Sequence, residues 1–195
     1  MTFDLIIENG VVVDGTGAHG RRADVGIVKT RIAAIGDLAA APAGRRLDAT
    51  ACVVAHGFVD IHTHSELPLL ADGRAESTIR QGVTTQATGN CGLTPAPVHD
   101  AVREQIKGTM IGPAHGSWRW NTFGEFLGEL KAVPKATHVA PLVGHGAIRA
   151  CAHGLRQPAA DPKRAGRHAR VCRRGHGGRR VRHVHGAGIP AGGVL

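Results

Sequence analysis

The feature that most constrains the fold is a repeated order of short apolar strand, polar segment and helix along residues 57–146. Strands are predicted at Phe58–Ile61, Val83–Thr88 and His138–Val143. The first is almost continuously apolar, which predicts burial of both its faces. Helices are predicted at Ala75–Gln81, Asp100–Lys107 and Thr122–Lys131, the last with Asn121 as its N-cap. This order is typical of a parallel α/β arrangement.

A small β-rich segment is predicted over residues 1–56. Apolar stretches at Phe3–Glu8 and Val11–Asp14 flank Asn9-Gly10, which predicts a hairpin. A second pair of strands flanks Lys29-Thr30, and Ala51–Ala55 is a further apolar piece. We therefore expect strands throughout this segment.

The positive charge of the chain is confined to its last part. The whole sequence of 195 residues has a formal net charge of +9, yet residues 1–154 contain 14 Lys/Arg and 14 Asp/Glu. Residues 155–195 contain 10 Lys/Arg and a single acid, Asp161. This tail could contact phosphates, so a basic-tailed nucleic-acid-binding protein is one alternative. It lacks interleaved aromatic residues, which disfavours specific nucleic-acid binding.

The compartment is predicted from the cysteines and the first residues. The four cysteines form no CxxC pair, and the first residues show neither a signal peptide nor a membrane span. A cytoplasmic protein without a membrane partner is therefore expected.

Potential metal ligands follow the predicted strands. His62 and His64 come directly after the first strand, and side chains two residues apart in a strand point to the same side. Cys91 follows the second strand and His145 the third. Imidazole and thiolate are the ligands that Zn²⁺ prefers. A lone His-x-His pair is equally compatible with a structural role. A lone Cys is more often a buried small apolar residue, although the place of Cys91 after the neighbouring strand favours a ligand. His145 could be a ligand, a substrate contact or a loop residue.

Several motifs, in order, resemble a known enzyme family. The run from Gly57 to Ser65 is similar to the first barrel strand of the amidohydrolase superfamily. The runs Gln81–Thr85, Gly89–Gly92 and Val143–Arg149 resemble the branch of N-acyl-D-amino-acid deacylases, or D-aminoacylases. The opening motifs Asp4–Ile7, Asn9-Gly10 and Asp14-Gly15 resemble the family's β segment. One departure is His56, where the family usually has Pro.

The resemblance implies a fold and a set of roles. Residues 57–152 would form the start of a metal-dependent (β/α) TIM-type barrel, and the chain would hold only the first part of the enzyme. His62, His64 and Cys91 would bind Zn²⁺, which polarises an amide carbonyl and lowers the pKa of water toward neutrality. His145 and Arg149 would contact the substrate, a small N-acyl-D-amino acid. Ser65 and Glu66 could support the metal ligands from behind, but the favoured expectation for them is a solvated loop.

The catalytic base is not expected in this chain. In the family, two further His ligands and a catalytic Asp come later, and nothing after Arg149 matches them in order. The alternative within enzymes is a hydantoinase or dihydroorotase relative, which usually bridges its metals through a carboxylated Lys. The Gly89–Gly92 run favours the deacylase branch.

The tail has the composition of a shifted reading frame. Residues 153–195 are rich in Arg, Gly, Ala, Pro and His, whose codons are GC-rich, and we expect them to be disordered. Reverse translation of Val181–Ala191 with the first base dropped permits Phe-Gly-Met-Ser-Thr-Gly-Leu-Glu-Tyr-Pro. That string resembles a downstream stretch of D-aminoacylases. We therefore predict a frame slip near residues 150–154.

Overall fold

The structure is a computed structural model that describes residues 2–108, 118–154, 166–167 and 170. The chain divides into two compact units, with the boundary between His56 and Gly57. The predicted disorder of residues 153–195 falls almost wholly outside the described residues. His153 and Gly154 are described: they end the last helix.

The first unit consists of seven strands in two sheets. The four-stranded sheet has the order β5-β4-β1-β6 and the three-stranded sheet β3-β2-β7. The bounds are β1 Phe3–Glu8, β2 Val11–Val13, β3 Arg21–Arg22, β4 Asp24–Val28, β5 Arg31–Gly36, β6 Ala43–Asp48 and β7 Val53–Ala55. Phe3, Ile6 and Val25, which lie on strands of the larger sheet, are buried.

One predicted hairpin forms and one does not. Strands β4 and β5 pair antiparallel across Lys29-Thr30, as expected. The hairpin across Asn9-Gly10 is wrong, because β1 pairs with β4 on one edge and with β6 on the other. Both edges of β1 are therefore occupied, and β2 joins the other sheet.

The second unit contains a parallel sheet with helices in its connections. Its strand order is β10-β9-β8, and both pairings are parallel. The strands are β8 Phe58–Asp60, β9 Val83–Thr88 and β10 His138–Pro141. The helices are α1 Glu66–Ala71, α2 Glu76–Ile79, α3 Asp100–Lys107, α4 Phe123–Ala132 and α5 His145–His153. This is the predicted α/β arrangement, and the carboxyl ends of the strands lie at one edge.

The core of the second unit lies between the helices and one face of the sheet. Its buried members include Leu67, Val102, Trp118, Phe126 and Val139. Strand β8 does not share in this burial, because Phe58 and Val59 are each 56% exposed and Ile61 is 75% exposed. The expected burial of both faces is therefore wrong. Among the described residues β8 is an edge strand with β9 as its one partner.

Helix α4 begins one residue later than the sequence pattern suggested. Its N-cap is Thr122 rather than Asn121. The Thr122 hydroxyl accepts from the Glu125 backbone N–H at 3.2 Å, and the Glu125 carboxylate accepts from the Thr122 N–H at 3.1 Å. This reciprocal capping box fixes the start of the helix.

None of the helices in the described part of the chain combines the length and apolar character that crossing a bilayer requires.

Candidate metal centre

His62 and His64 lie on the segment that leaves the carboxyl end of β8. The backbone N–H of His62 donates to the Asp60 carboxylate at 3.0 Å, and the N–H of Thr63 donates to the Ala87 carbonyl at 3.1 Å. These two bonds attach the segment to its own strand and to β9. The imidazole rings stand edge to face with their centroids 5.5 Å apart. Both imidazole rings therefore lie next to each other at the carboxyl end of β8.

Cys91 lies in a single 3₁₀ turn, Asn90–Gly92, directly after β9. Its φ of 58° is in the left-handed region, which is unfavourable for a residue with a side chain. The Asn90 side-chain amide donates to the carbonyls of Ile61 and Ala87 at 3.3 and 3.1 Å. The turn is thus bound to the segment that carries His62, and the thiol of Cys91 faces the imidazoles.

The three side chains meet in a group that fits a tetrahedral metal ion. His62 Nε2 is 3.3 Å from Cys91 Sγ, and the ligand atoms of His62, His64 and Cys91 all lie within 4.8 Å of one another. Bond lengths of about 2.0–2.3 Å from Zn²⁺ to nitrogen and sulfur place tetrahedral ligand atoms about 3.5 Å apart. His62 and Cys91 already have this spacing, and a small rotation of the half-buried His64 ring brings in the third ligand atom. No other group of three such residues occurs among the residues that the structure describes.

His145 and Arg149 lie on α5, the helix that follows β10. His145 is the first residue of this helix and Arg149 is four residues later, so both are on one face, and both are exposed. His145 follows the carboxyl end of its strand as predicted, and it lies outside the three-residue group. The structure therefore places His145 at the same edge of the sheet as the metal ligands, with Arg149 one helical turn farther along α5.

A glycine seam joins the Cys91 turn to the first turn of α5. We give this name to the contact of Gly92 with Gly144 and Gly146. An added Cβ would lie 2.5 Å from the Gly92 carbonyl oxygen at Gly144 and 2.7 Å from it at Gly146. The two backbones thus approach more closely than any side chain would permit.

Ser65 and Glu66 are not in a solvated loop, which corrects the expectation from sequence. Glu66 begins α1 and is 0% exposed, and its carboxylate Oε1 accepts from the Gly89 N–H at 2.6 Å. The Ser65 hydroxyl donates to Gln86 Oε1 at 2.7 Å. Leu67 and Leu69 were the signal for a buried helix here, with an acid in its first turn.

Burial and local contacts have opposite effects on the Glu66 carboxyl. Burial raises its pKa above the usual value. Hydrogen bonds from its own N–H and from that of Gly89, and the charge of His64, oppose this rise. The net direction is upward because desolvation of the charged form is the largest cause.

We expect Gly89→Ala to destabilise the second unit strongly. Gly89 has a φ of 86°, and an added Cβ would lie 2.2 Å from the Leu142 carbonyl oxygen. The backbone conformation alone costs a residue with a side chain about 1–2 kcal/mol, and the overlap adds to this. The matched control is Gly128→Ala on α4, where an added Cβ meets nothing within 4 Å.

Urea unfolding measures both glycine variants. Gly128→Ala should raise the free energy of unfolding by about 0.5–1 kcal/mol, since alanine favours a helix interior. If Gly89→Ala unfolded at the wild-type urea concentration, the described packing of Gly89 against Leu142 would be incorrect.

Comparison of the sequence with known proteins finds relatives that are named as deacylases. No protein-family model matches the chain. A D-aminoacylase of Alcaligenes xylosoxydans xylosoxydans is 43% identical over 148 residues, which cover 76% of this chain and 30% of the relative. An N-acyl-D-glutamate deacylase of the same organism is also 43% identical, over 160 residues that cover 82% of this chain and 32% of the relative.

Solved structures point to the same family. The crystal structure of a D-aminoacylase superposes with a TM-score of 0.77 at 38% identity, covering 89% of this chain and 36% of that one. An N-acyl-D-glutamate deacylase from Bordetella bronchiseptica, complexed with zinc and a phosphonate inhibitor, gives 0.73 at 32% identity over 88% and 35%. The chain spans about a third of the length of the curated relatives it matches. Over the length that it shares with them, the chain belongs to the D-aminoacylase family of the amidohydrolases.

Proposed function

We propose that this chain is part of a zinc-dependent deacylase that hydrolyses N-acyl-D-amino acids to a carboxylate and a free D-amino acid. The observation that carries the proposal is the group of His62, His64 and Cys91 at the carboxyl end of the sheet. The names of the relatives give the substrate class, and one solved relative contains zinc.

His62, His64 and Cys91 would hold the metal. Two imidazoles and a thiolate are a donor set that Zn²⁺ accepts, and the spacing of their ligand atoms suits it. When bound, Zn²⁺ supplies Lewis acidity for amide hydrolysis at neutral pH. Because the thiol must stay reduced to bind metal, the proposal places the protein in a reducing compartment such as the cytoplasm.

His145 and Arg149 would orient the substrate. A guanidinium pairs well with a carboxylate, which every N-acyl-amino acid carries. Both side chains are exposed on helix α5. The first turn of this helix packs on the Cys91 turn through the glycine seam. A substrate carboxylate bound there would lie close to the metal ligands.

The proton-accepting base is not assigned to any described residue. Amide hydrolysis needs a group that takes a proton from the attacking water. In the family that the chain resembles, this base is an Asp that comes later in the sequence. It would lie in the two thirds of the relatives that this chain does not match. The proposal therefore concerns a complete protein of which this chain supplies the first metal ligands.

Chiral substrates test the proposed function. A version of the gene shifted by one base near codon 150 should encode the complete enzyme and release free amino acid from N-acetyl-D-methionine. Matched N-acetyl-L-methionine, assayed by the same ninhydrin reaction, should give no release above the buffer blank. Equal turnover of the two enantiomers, or of neither, would contradict the substrate class.

A further inference from the structure

Glu66 is a carboxylic acid placed where the core would accept an apolar side chain. It is fully buried next to Leu67, and its Oε2 has no hydrogen-bond partner among the described residues. Burial of a carboxyl group with an unsatisfied oxygen is unfavourable, whereas a leucine would pack there without that cost. The position therefore calls for a role other than packing.

The hydrogen bond of Glu66 links the two segments that carry the candidate ligands. Glu66 is two residues after His64, and its Oε1 accepts from the N–H of Gly89, two residues before Cys91. The bond is 2.6 Å long and buried, so water does not compete with it. One side chain thus connects the His64 segment with the Cys91 turn.

The Cys91 turn depends on such connections. A non-glycine residue in the left-handed region is unfavourable, so neighbouring groups must hold Cys91 in place. Asn90 attaches the turn to Ile61, just before His62. Glu66 provides the corresponding attachment on the His64 side.

We infer that Glu66 is a positioning residue of the metal centre: its bond to Gly89 sets the separation of His64 from Cys91. This inference rests on the proposed role of His62, His64 and Cys91 as zinc ligands. Groups that orient metal ligands through hydrogen bonds typically contribute about 10–100-fold to metal affinity. Loss of the Glu66 acceptor should therefore weaken metal binding and disturb the thiolate in particular.

Cobalt titration of the full 195-residue chain tests this role. Co²⁺ replaces Zn²⁺ as a visible probe, and its thiolate-to-metal charge-transfer band reports on Cys91. Glu66→Leu removes the acceptor at similar size and should lower Co²⁺ affinity about 10–100-fold with a weaker band. Glu66→Gln keeps an acceptor oxygen for the Gly89 N–H and should restore most of both.

Leu67→Ala is the matched control, because it removes a buried side chain of the same helix that is not bonded to the turn. It should destabilise the fold and leave Co²⁺ affinity and the band unchanged in the folded protein. Wild-type binding by Glu66→Leu, or an equal loss in Leu67→Ala, would overturn the inference. If the wild type gave no band sensitive to Cys91→Ser, the metal site itself would fail, together with this role for Glu66.

Discussion

The 195-residue chain is expected to release no D-amino acid from N-acetyl-D-methionine in the presence of Zn²⁺, whereas a version shifted by one base near codon 150 is expected to turn it over. The physical reason is that no proton-accepting base is assigned among the described residues, which contain no group of metal ligands besides His62, His64 and Cys91. A positioned acid–base group alone contributes about 10²–10⁴-fold, and an incomplete coordination shell adds to that loss.

The control for this comparison is a version shifted by two bases at the same codon, which opens the third reading frame. It should be as inactive as the 195-residue chain. Free amino acid is measured at equal protein and zinc concentrations after each version has been shown to be folded by circular dichroism. Comparable turnover by the 195-residue chain would mean that its basic tail completes the site.

Replacement of both histidines, His62→Ala with His64→Ala, should abolish stoichiometric zinc binding by the 195-residue chain. The double change removes two of the three ligand atoms of the group, and a remaining thiolate cannot hold the ion alone. Zinc is measured by elemental analysis after dialysis against metal-free buffer.

The matched control is His19→Ala with His138→Ala. Both residues are exposed, His19 in the first unit and His138 at the opposite, amino end of β10. This variant should retain the zinc content of the parent. An unchanged content in the His62/His64 variant would remove these residues from the site.

The parallel sheet could be predicted because each of its strands has a recognisable local sequence pattern. Apolar runs such as Val83–Thr88 end in polar residues, and the parallel pairing then brings His62 and Cys91 to one edge. The capping box of Thr122 with Glu125 was also readable from its spacing, and it outweighs Asn121. Local patterns thus fix the elements and the first ligands.

Other features depend on contacts that a sequence pattern does not contain. Strand β6, Ala43–Asp48, has no apolar alternation and forms because β1 offers it an edge. The burial of Glu66 depends on Gly89, which is distant in sequence. The exposure of Phe58 depends on which strands flank β8. In each of these cases the contacting segment, which is distant in sequence, determines whether the residues form a strand or are buried.

The glycine seam limits which positions of this edge of the sheet can be varied. Backbone atoms alone set the spacing between the Cys91 turn and α5, so no side chain there can be exchanged to alter it. If Arg149 contacts the substrate as proposed, substitutions at this exposed position would change substrate preference without moving the Cys91 turn relative to the first turn of α5.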